Sequence, residues 1–341
     1  MATMDIFEGS AFSTRELSAA IDQIPNQWGR ITALGLFRNT PVRTPNIAIE
    51  SRDGVLSLIG SSPRGTDPAG GRSSSRKLRN FTTARFAQQR TVTADEIDGI
   101  RAFGSETELR QVGQVVTEKL ADLRSDIDIT REYLQAGALA GVVNDADGNA
   151  LVNLFTEFAV SQKVVDFVLG TSTTDVAAKV REVRRHIEVN LLGDTMTRVH
   201  ALCSPTFMDA LLGHPKIEAA YQFYMNTNPL REDVARQFTY MGVTFEEYLG
   251  EAPTPNDAGG ETVRKFIADG DARFFPVGTQ RTFRGFNAPA DWMETVNTPG
   301  RPVYAKQWGD DAGRMRTIEG QTNYLPICMR PAVLVRGHSS N

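Results

Sequence analysis

The chain has 341 residues, 40% of them hydrophobic and 23% charged, and a net charge of −4 at pH 7. These are the proportions of an ordinary folded protein with room for roughly two or three domain-sized units. The acidic total argues against a general nucleic-acid-binding protein, which would carry a basic domain. No apolar run reaches the roughly 18 residues of a membrane-spanning helix. The opening "MATMDIFEGSAF" lacks the basic and apolar regions of a secretory signal. Cys203 and Cys328 are the only cysteines. They are too few for a disulfide framework and read as reduced, partly buried thiols in a cytosolic setting.

In residues 1–45, "FSTRELSAAIDQIPNQWGRI" predicts one short helix, capped by Ser13 or Thr14 and stopped near Pro25, and "GLFRNTPVRTP" reads as extended chain. This arm is expected to cross a surface rather than form a core. In "NIAIESRDGVLSLIG" (46–60), two β-rich runs flank Arg52-Asp53-Gly54, a strong hairpin cue. The stretch "LIGSSPRGTDPAGGRSSSRKLRN" (58–80) then reads as a long polar loop, a kind usually functional or disordered. It is also basic. Residues 61–90 hold Arg64, Arg72, Arg76, Lys77, Arg79, Arg85 and Arg90 against Asp67 alone, a local +6 that leaves −10 for the rest of the chain. "NFTTARFAQQRTVT" (80–93) reads as one strand.

The most periodic segment follows. Ser105 and Glu108 form a candidate capping box. Leu109, Val112, Val116, Leu120, Leu123, Ile127 and Leu134 then recur at steps of 3, 4, 4, 3, 4 and 7, the apolar stripe of a helix. Residues 105–136 would make a rod roughly 48 Å long, ended by Gly137 and Gly141. "ALAGVVNDADGNALVNLFTEF" (138–158) reads as a hairpin with Asp147-Gly148 at its tip.

Thr174-Asp175 caps a second predicted helix (176–193), with Val176, Val180, Val183, Ile187 and Leu191 on one face. "TRVHALCS" reads as a buried strand, and Ser204-Pro205 starts a helix that runs to Gly213. "YMGVTFEEYLG" (240–250) reads as a strand, "EAPTPNDAGGE" (251–261) as a polar surface loop, and "RKFIADGDARFFPVG" as a return to a strand. "YLPICMRPAVLVRG" (324–337) reads as an apolar terminal strand. The fold class is α+β: one long helix, antiparallel strands and a mixed insert at about 171–290.

Candidate chemistry is sparse. "NDADGNALVNLF" fails as a calcium loop, because aligning Gly148 puts Val143 at the first ligand position and Leu154 at the last. His200, Cys203 and His214 suggest a metal site or a Cys–His nucleophile. On a strand, however, positions three apart point to opposite faces. His186 and His338 lie in a helix and in the tail, so no fourth ligand is evident. Structural histidines and a buried thiol are the simpler reading. Phosphate-loop, dinucleotide, serine-hydrolase and zinc-protease signatures do not occur. No catalytic, metal or cofactor residue is assigned, and no cofactor is expected. The basic loop has three readings. It is a solvated loop, a nucleic-acid contact without aromatic residues for stacking, or an arm that lies on the acidic body of another copy.

In order, these elements resemble the Hong Kong 97-type phage capsid fold, and within it the capsid protein E family of the lambda type. The resemblance is carried by "GLFRNTPVRTPNIAIESRDGVLSLIGSSPRG" (35–65), "DGDARFFPVGTQRTFRGFNAPADW" (269–292) and "LPICMRPAVLV" (325–335). It implies an N-terminal arm (1–45), an extended E-loop (46–93), a P-domain with its spine helix (94–170), an axial A-domain (171–290) and a return to the P-domain (291–341). It also implies a virion shell protein that assembles in the bacterial host cytoplasm into hexamers and pentamers around packaged DNA, without sequence specificity. With no long helical segment before the arm, a separate scaffolding protein is expected, besides a portal and, as in some relatives, a decoration or cement protein. Arg64, Arg72, Arg76, Lys77 and Arg79 are the expected inter-subunit contacts. The alternatives are the shell of a cellular nanocompartment with the same fold, or an enzyme or metal-binding domain using His200 and Cys203.

Overall fold

A computed structural model describes residues 13–23, 29–52, 76–93, 95–96, 105–220, 237–255, 260–310 and 314–340. The chain is α+β and divides into two compact units. One gathers residues 1–47, 82–134 and 285–326, the other residues 48–81, 135–284 and 327–341.

The first unit is built on helix α3 (Ser105–Ala140) and strand β16 (Met315–Cys328). β16 pairs antiparallel with β4 (Ala84–Thr93), from Met315 opposite Thr93 to Tyr324 opposite Ala84, and with β15 (Tyr304–Gly309). β14 (Phe283–Asn287) and β1 (Arg38–Pro41) extend the same sheet. Strand alternation sends Ile318, Val92 and Ala305 to the face that meets α3. There they share a core with Val116, Leu120, Leu123 and Ile127, so from Val116 on the stripe read from spacing is buried, and the side chains of Leu109 and Val112 lie outside the described residues.

Helix α1 (Thr14–Gln23) starts where Ser13 accepts a hydrogen bond from the Glu16 amide at 3.4 Å. It does more than cross a surface. Leu17 and Ile21, one turn apart, lie in the same core as Leu120 and Leu123. Ser18 also donates to the Ala305 carbonyl at 3.1 Å and accepts from its amide at 3.0 Å. That exchange satisfies the open side of β15, which would otherwise bury unpaired backbone groups. A second short helix, α2 (Arg30–Ala33), was not legible from composition. Buried Glu132 of α3 caps it from 101 residues away in sequence, accepting from the Ile31 amide at 2.7 Å and the Thr32 amide at 3.1 Å.

α3 runs four residues past the predicted end. Gly137 lies inside the helix, where a Cβ would come within 2.8 Å of the Val142 carbonyl. Gly141, at φ +86°, takes the left-handed conformation that ends it. The side chains of the Ser105/Glu108 box and the Asp53-Gly54 hairpin cue lie outside the described residues.

The second unit centres on a six-stranded sheet in the order β7 (Lys163–Asp166), β17 (Val335–His338), β13 (Asp271–Val277), β8 (Arg198–Cys203), β10 (Val243–Glu247), β9 (Gln237–Tyr240). β8 and β10 run parallel, as do β7 and β17, and the other neighbours are antiparallel. Phe274 and Phe245 both face Ala201 in register and meet edge to face with centroids 5.7 Å apart. Phe167 stacks on Phe274, and Phe207 of helix α6 (Pro205–Leu212) meets Phe167 edge on. Helix α5 (Val176–Asn190) buries Val176, Val180, Val183 and Ile187 and is capped by Asp175, whose side chain accepts from the Ala178 amide. Hairpin β5–β6 (Val142–Asn144 and Ala150–Asn153) turns at Gly148, φ +92°, as Asp147-Gly148 predicts, and leads into helix α4 (Leu154–Phe158).

Three expectations are corrected here. The terminal apolar run is not one strand. Pro331, which cannot donate to a ladder, opens a 3-10 turn between β16 and β17, and these two strands belong to different sheets. Residues 251–261 are not simply a polar loop. β11 (Glu251–Pro255) pairs with β12 (Glu261–Lys265), with Pro253 opposite Val263. Residues 80–93 are two strands. β3 (Arg76–Thr82) pairs with β2 (Asn46–Arg52), and Thr83 breaks away to donate its amide to the Pro45 carbonyl at 2.9 Å before β4 begins. The stretch read as a polar loop through Asn80 therefore gives its last residues to β3.

Asp194 ties two loops of this unit. It accepts from the Arg281 amide at 3.0 Å and the Thr282 hydroxyl at 2.8 Å. Burial raises its pKa, but these bonds and those from Gln280 and Thr195 outweigh it, and the carboxyl sits below its usual range. A folded-state pKa below the unfolded one adds stability that is present above the unfolded value of about 3.9 and is lost as pH falls through the folded value. Asp194→Asn is therefore expected to flatten the acid limb of a stability–pH curve, read by amide exchange at Gln280–Thr282. An unchanged acid limb would remove Asp194 from that account.

Candidate functional site

The expected contact residues fall into three groups. Arg64 and Arg72 lie outside the described residues. Arg76 and Lys77 open β3, but their side chains lie outside them too. Arg79 is described with its side chain, and it engages its own chain. Its Nε donates to the Glu157 carbonyl at 2.8 Å, and its guanidinium stands 4.5 Å from the Phe158 ring centroid.

The remaining basic residues of 61–90 also find partners at home. Arg85 bridges Glu319 at 2.7 Å and Asp291 at 2.9 Å, and Arg90 meets Asp126 at 2.5 Å. Register explains the first pair. Arg85 lies opposite Asn323 and Gln89 opposite Glu319, so these side chains share one face of the β4–β16 ladder. The charge excess read from composition is thus partly neutralised within the chain. Four basic side chains, Arg64, Arg72, Arg76 and Lys77, face one acid, Asp67, in the segment that remains.

β8 carries both His200 and Cys203, and the structure sets them to separate tasks. His200 is fully buried, and its Nε2 lies 2.9 Å from Glu246 Oε2 on the neighbouring strand β10. Cys203, three positions on, faces the other side of the sheet, and its Sγ is 3.9 Å from the Ala201 carbonyl. Burial drives its pKa far above the ordinary thiol value, which removes the thiolate a nucleophile needs. His214 is occupied with the Thr171 carbonyl at 3.1 Å, and His186 with that of Ala332 at 2.9 Å. Among the described residues, no group of three or more His, Cys, Asp or Glu gathers as a metal site requires. The Cys328 thiol is likewise pushed up to about 12 by burial. Neither thiol is expected to react with a water-soluble disulfide reagent in the native protein at pH 8, and both are expected to react in denaturant. Rapid native labelling of either would contradict the burial.

Sequence reasoning missed the partners of Arg79. Glu157 and Phe158 are 78 and 79 residues away, and nothing in local spacing points to them. What can be found beforehand is the Asn153 side chain, which accepts from the Phe155 and Thr156 amides and so caps α4, the short helix carrying both residues.

Comparison with known proteins completes the picture. The major capsid protein of Pseudomonas phage KPP10 is 30% identical over 345 residues, covering 96% of this chain and 97% of that protein. The major capsid protein of Salmonella phage Felix O1 is 29% identical over 357 residues, covering 96% of each. Among solved structures, one described as a prophage capsid protein of E. coli CFT073 superposes with a TM-score of 0.61 at 11% identity, covering 96% of this chain and 99% of that one, a likeness of fold alone. The family model described as phage major capsid protein E matches residues 13–339. The chain belongs to the phage major capsid protein E family.

Proposed function

We propose that this chain is the principal shell subunit of a phage head. Copies assemble into hexamers and pentamers that close into an icosahedral container around double-stranded DNA. The family match across residues 13–339 is the observation that carries this reading. The α+β core built on α3 agrees with it. The family also favours a phage shell over a cellular nanocompartment. In this role the protein is structural. The engagement of His200 with Glu246 and the raised thiol of Cys203 support that against the enzyme reading.

In the same reading, residues 1–45 act as the arm, 46–93 as the E-loop, 94–170 and 291–341 as the P-domain and 171–290 as the A-domain. Arg64, Arg72, Arg76 and Lys77 reach an acidic neighbour, because the rest of the chain carries the opposite sign. Such heterologous contacts close into rings. A separate scaffolding protein, a portal and a decoration protein are proposed partners, with assembly in the host cytoplasm.

Negative-stain microscopy of the expressed chain, alone and with its scaffold, tests the reading. Uniform closed particles or rings are expected, and dispersed monomers at high concentration under both conditions would overturn it. Reversing Arg76 and Lys77 to Glu together is expected to cut particle yield about tenfold or more, the size of one close charge pair lost across an interface. Normal shells from that variant would make the charge of the arm incidental.

A further inference from the structure

We propose that Arg79 is a positioning residue. It fastens the β2–β3 ribbon (Asn46–Arg52 with Arg76–Thr82) to the chain's own helix α4 and so fixes the placement of that ribbon within the single subunit. This rests on the shell-assembly reading above, and it reassigns Arg79 from a contact between subunits to a contact within one.

The geometry comes from two faces of one strand. On β3, alternation puts Arg79 and Phe81 on one side and Leu78 and Asn80 on the other. Phe81 is buried and stacks on Phe158, with centroids 6.2 Å apart and planes 23° from parallel. Arg79 lies over the same Phe158 ring at 4.5 Å. One ring of α4 is therefore gripped by two residues of β3, one aromatic and one cationic. The opposite side of the strand is open, with Leu78 68% exposed. Ile47 and Ile49 of β2 are buried.

The hydrogen bond makes the grip directional. α4 is a helix of five residues, and the left-handed Ala159, φ 53°, closes it by donating its amide to the Phe155 and Thr156 carbonyls. Arg79 Nε donates to the Glu157 carbonyl, one residue further on, at 2.8 Å. A guanidinium is suited to this. Its plane covers the ring while its edge donates to the carbonyl. A lysine ammonium keeps the charge but has neither the plane nor the Nε–H.

An isolated two-stranded ribbon is marginal in water. The described ribbon gains its footing from α4. The placement of β2 and β3 is then a property of the single subunit, fixed before any second copy arrives.

The test compares Arg79→Lys, which retains the charge, with Phe158→Leu, which retains Arg79 but removes the ring. Amide exchange is measured on unassembled full-length subunits, with β8 and β13 as internal controls, and particle yield is scored separately by microscopy. Both variants are expected to speed exchange at β3 about tenfold, the scale of one charge-assisted hydrogen bond with its stacking contact, while β8 and β13 stay as in the parent. Both are also expected to give fewer closed particles and more misassembled ones. Parental exchange at β3 in Arg79→Lys would overturn the proposal, because charge alone would then suffice. Should Phe158→Leu also speed the control strands, it has unfolded the unit, and Arg79→Lys alone decides. Failure of the parent chain to form particles would sink the shell reading and leave the exchange result standing.

Discussion

Arg131→Met is expected to lower the stability of the first unit by about 3–5 kcal/mol, from the loss of hydrogen bonds to a charged donor and of a desolvated cation–π contact. Arg131 projects from α3 into the sheet. Its Nη1 donates to Asn287 Oδ1 at 2.9 Å, the Thr322 hydroxyl at 3.0 Å and the Pro302 carbonyl at 3.1 Å. Its guanidinium carbon stands 3.8 Å from the Tyr324 ring centroid. Asn287 and Thr322 are fully buried, so a methionine of similar reach leaves polar atoms with no water to turn to. The damage spreads through Asn287, whose amide donates to Asn39 and whose carbonyl accepts from the Val42 amide at 2.8 Å. Trp292 and Trp308 lie in this unit. Denaturant unfolding followed by tryptophan emission therefore reports on it. A midpoint within error of the parent would refute the assignment. Arg131→Lys is expected to recover only part of the loss, since an ammonium cannot both donate at this edge and lie flat on the ring.

Asp271→Asn is expected to be of similar size in the second unit, again about 3–5 kcal/mol, the usual result of removing one partner from a buried ion pair. Asp271 is 2% exposed at the start of β13. It accepts from Arg336 Nε at 2.9 Å and Nη2 at 2.9 Å, and from Arg273 Nη2 at 2.8 Å. Register makes the cluster, because Arg273 lies directly opposite Arg336 on β17. Without the carboxylate, two cations face each other across one rung. The Arg273 side chain is only 14% exposed and bears the greater cost, whereas Arg336, at 41%, can turn to solvent. Adding Arg273→Met to Asp271→Asn should restore much of the loss, and amide exchange on β13 and β17 measures both steps. If the single and double variants were equally destabilised, the charge explanation would fail.

Periodicity and capping made much of the fold legible. Val176, Val180, Val183 and Ile187 are buried as their spacing requires, and Ser204-Pro205 and Asp175 start helices where expected. The failures have a common physical cause. Whether Leu17 and Ile21 cover a surface or fill a core depends on what lies opposite them, and that is α3, some hundred residues away. Residues 251–261 read as a polar loop, yet a two-stranded hairpin tolerates Pro253 and Pro255 where no ladder bond is needed. The candidate contact residues were visible only as a charge excess. Composition counts charges without partners, so it could not see that Arg85 and Arg90 are paired at home, nor that Arg79 rests on Phe158.

The burial of both native cysteines leaves the chain's exterior chemically blank towards maleimides. One engineered cysteine at Met293, a side chain 91% exposed, would give every copy a single addressable handle. A fluorophore or cargo coupled there would then sit at a known residue and in fixed stoichiometry across all copies, with no need to delete a native thiol first.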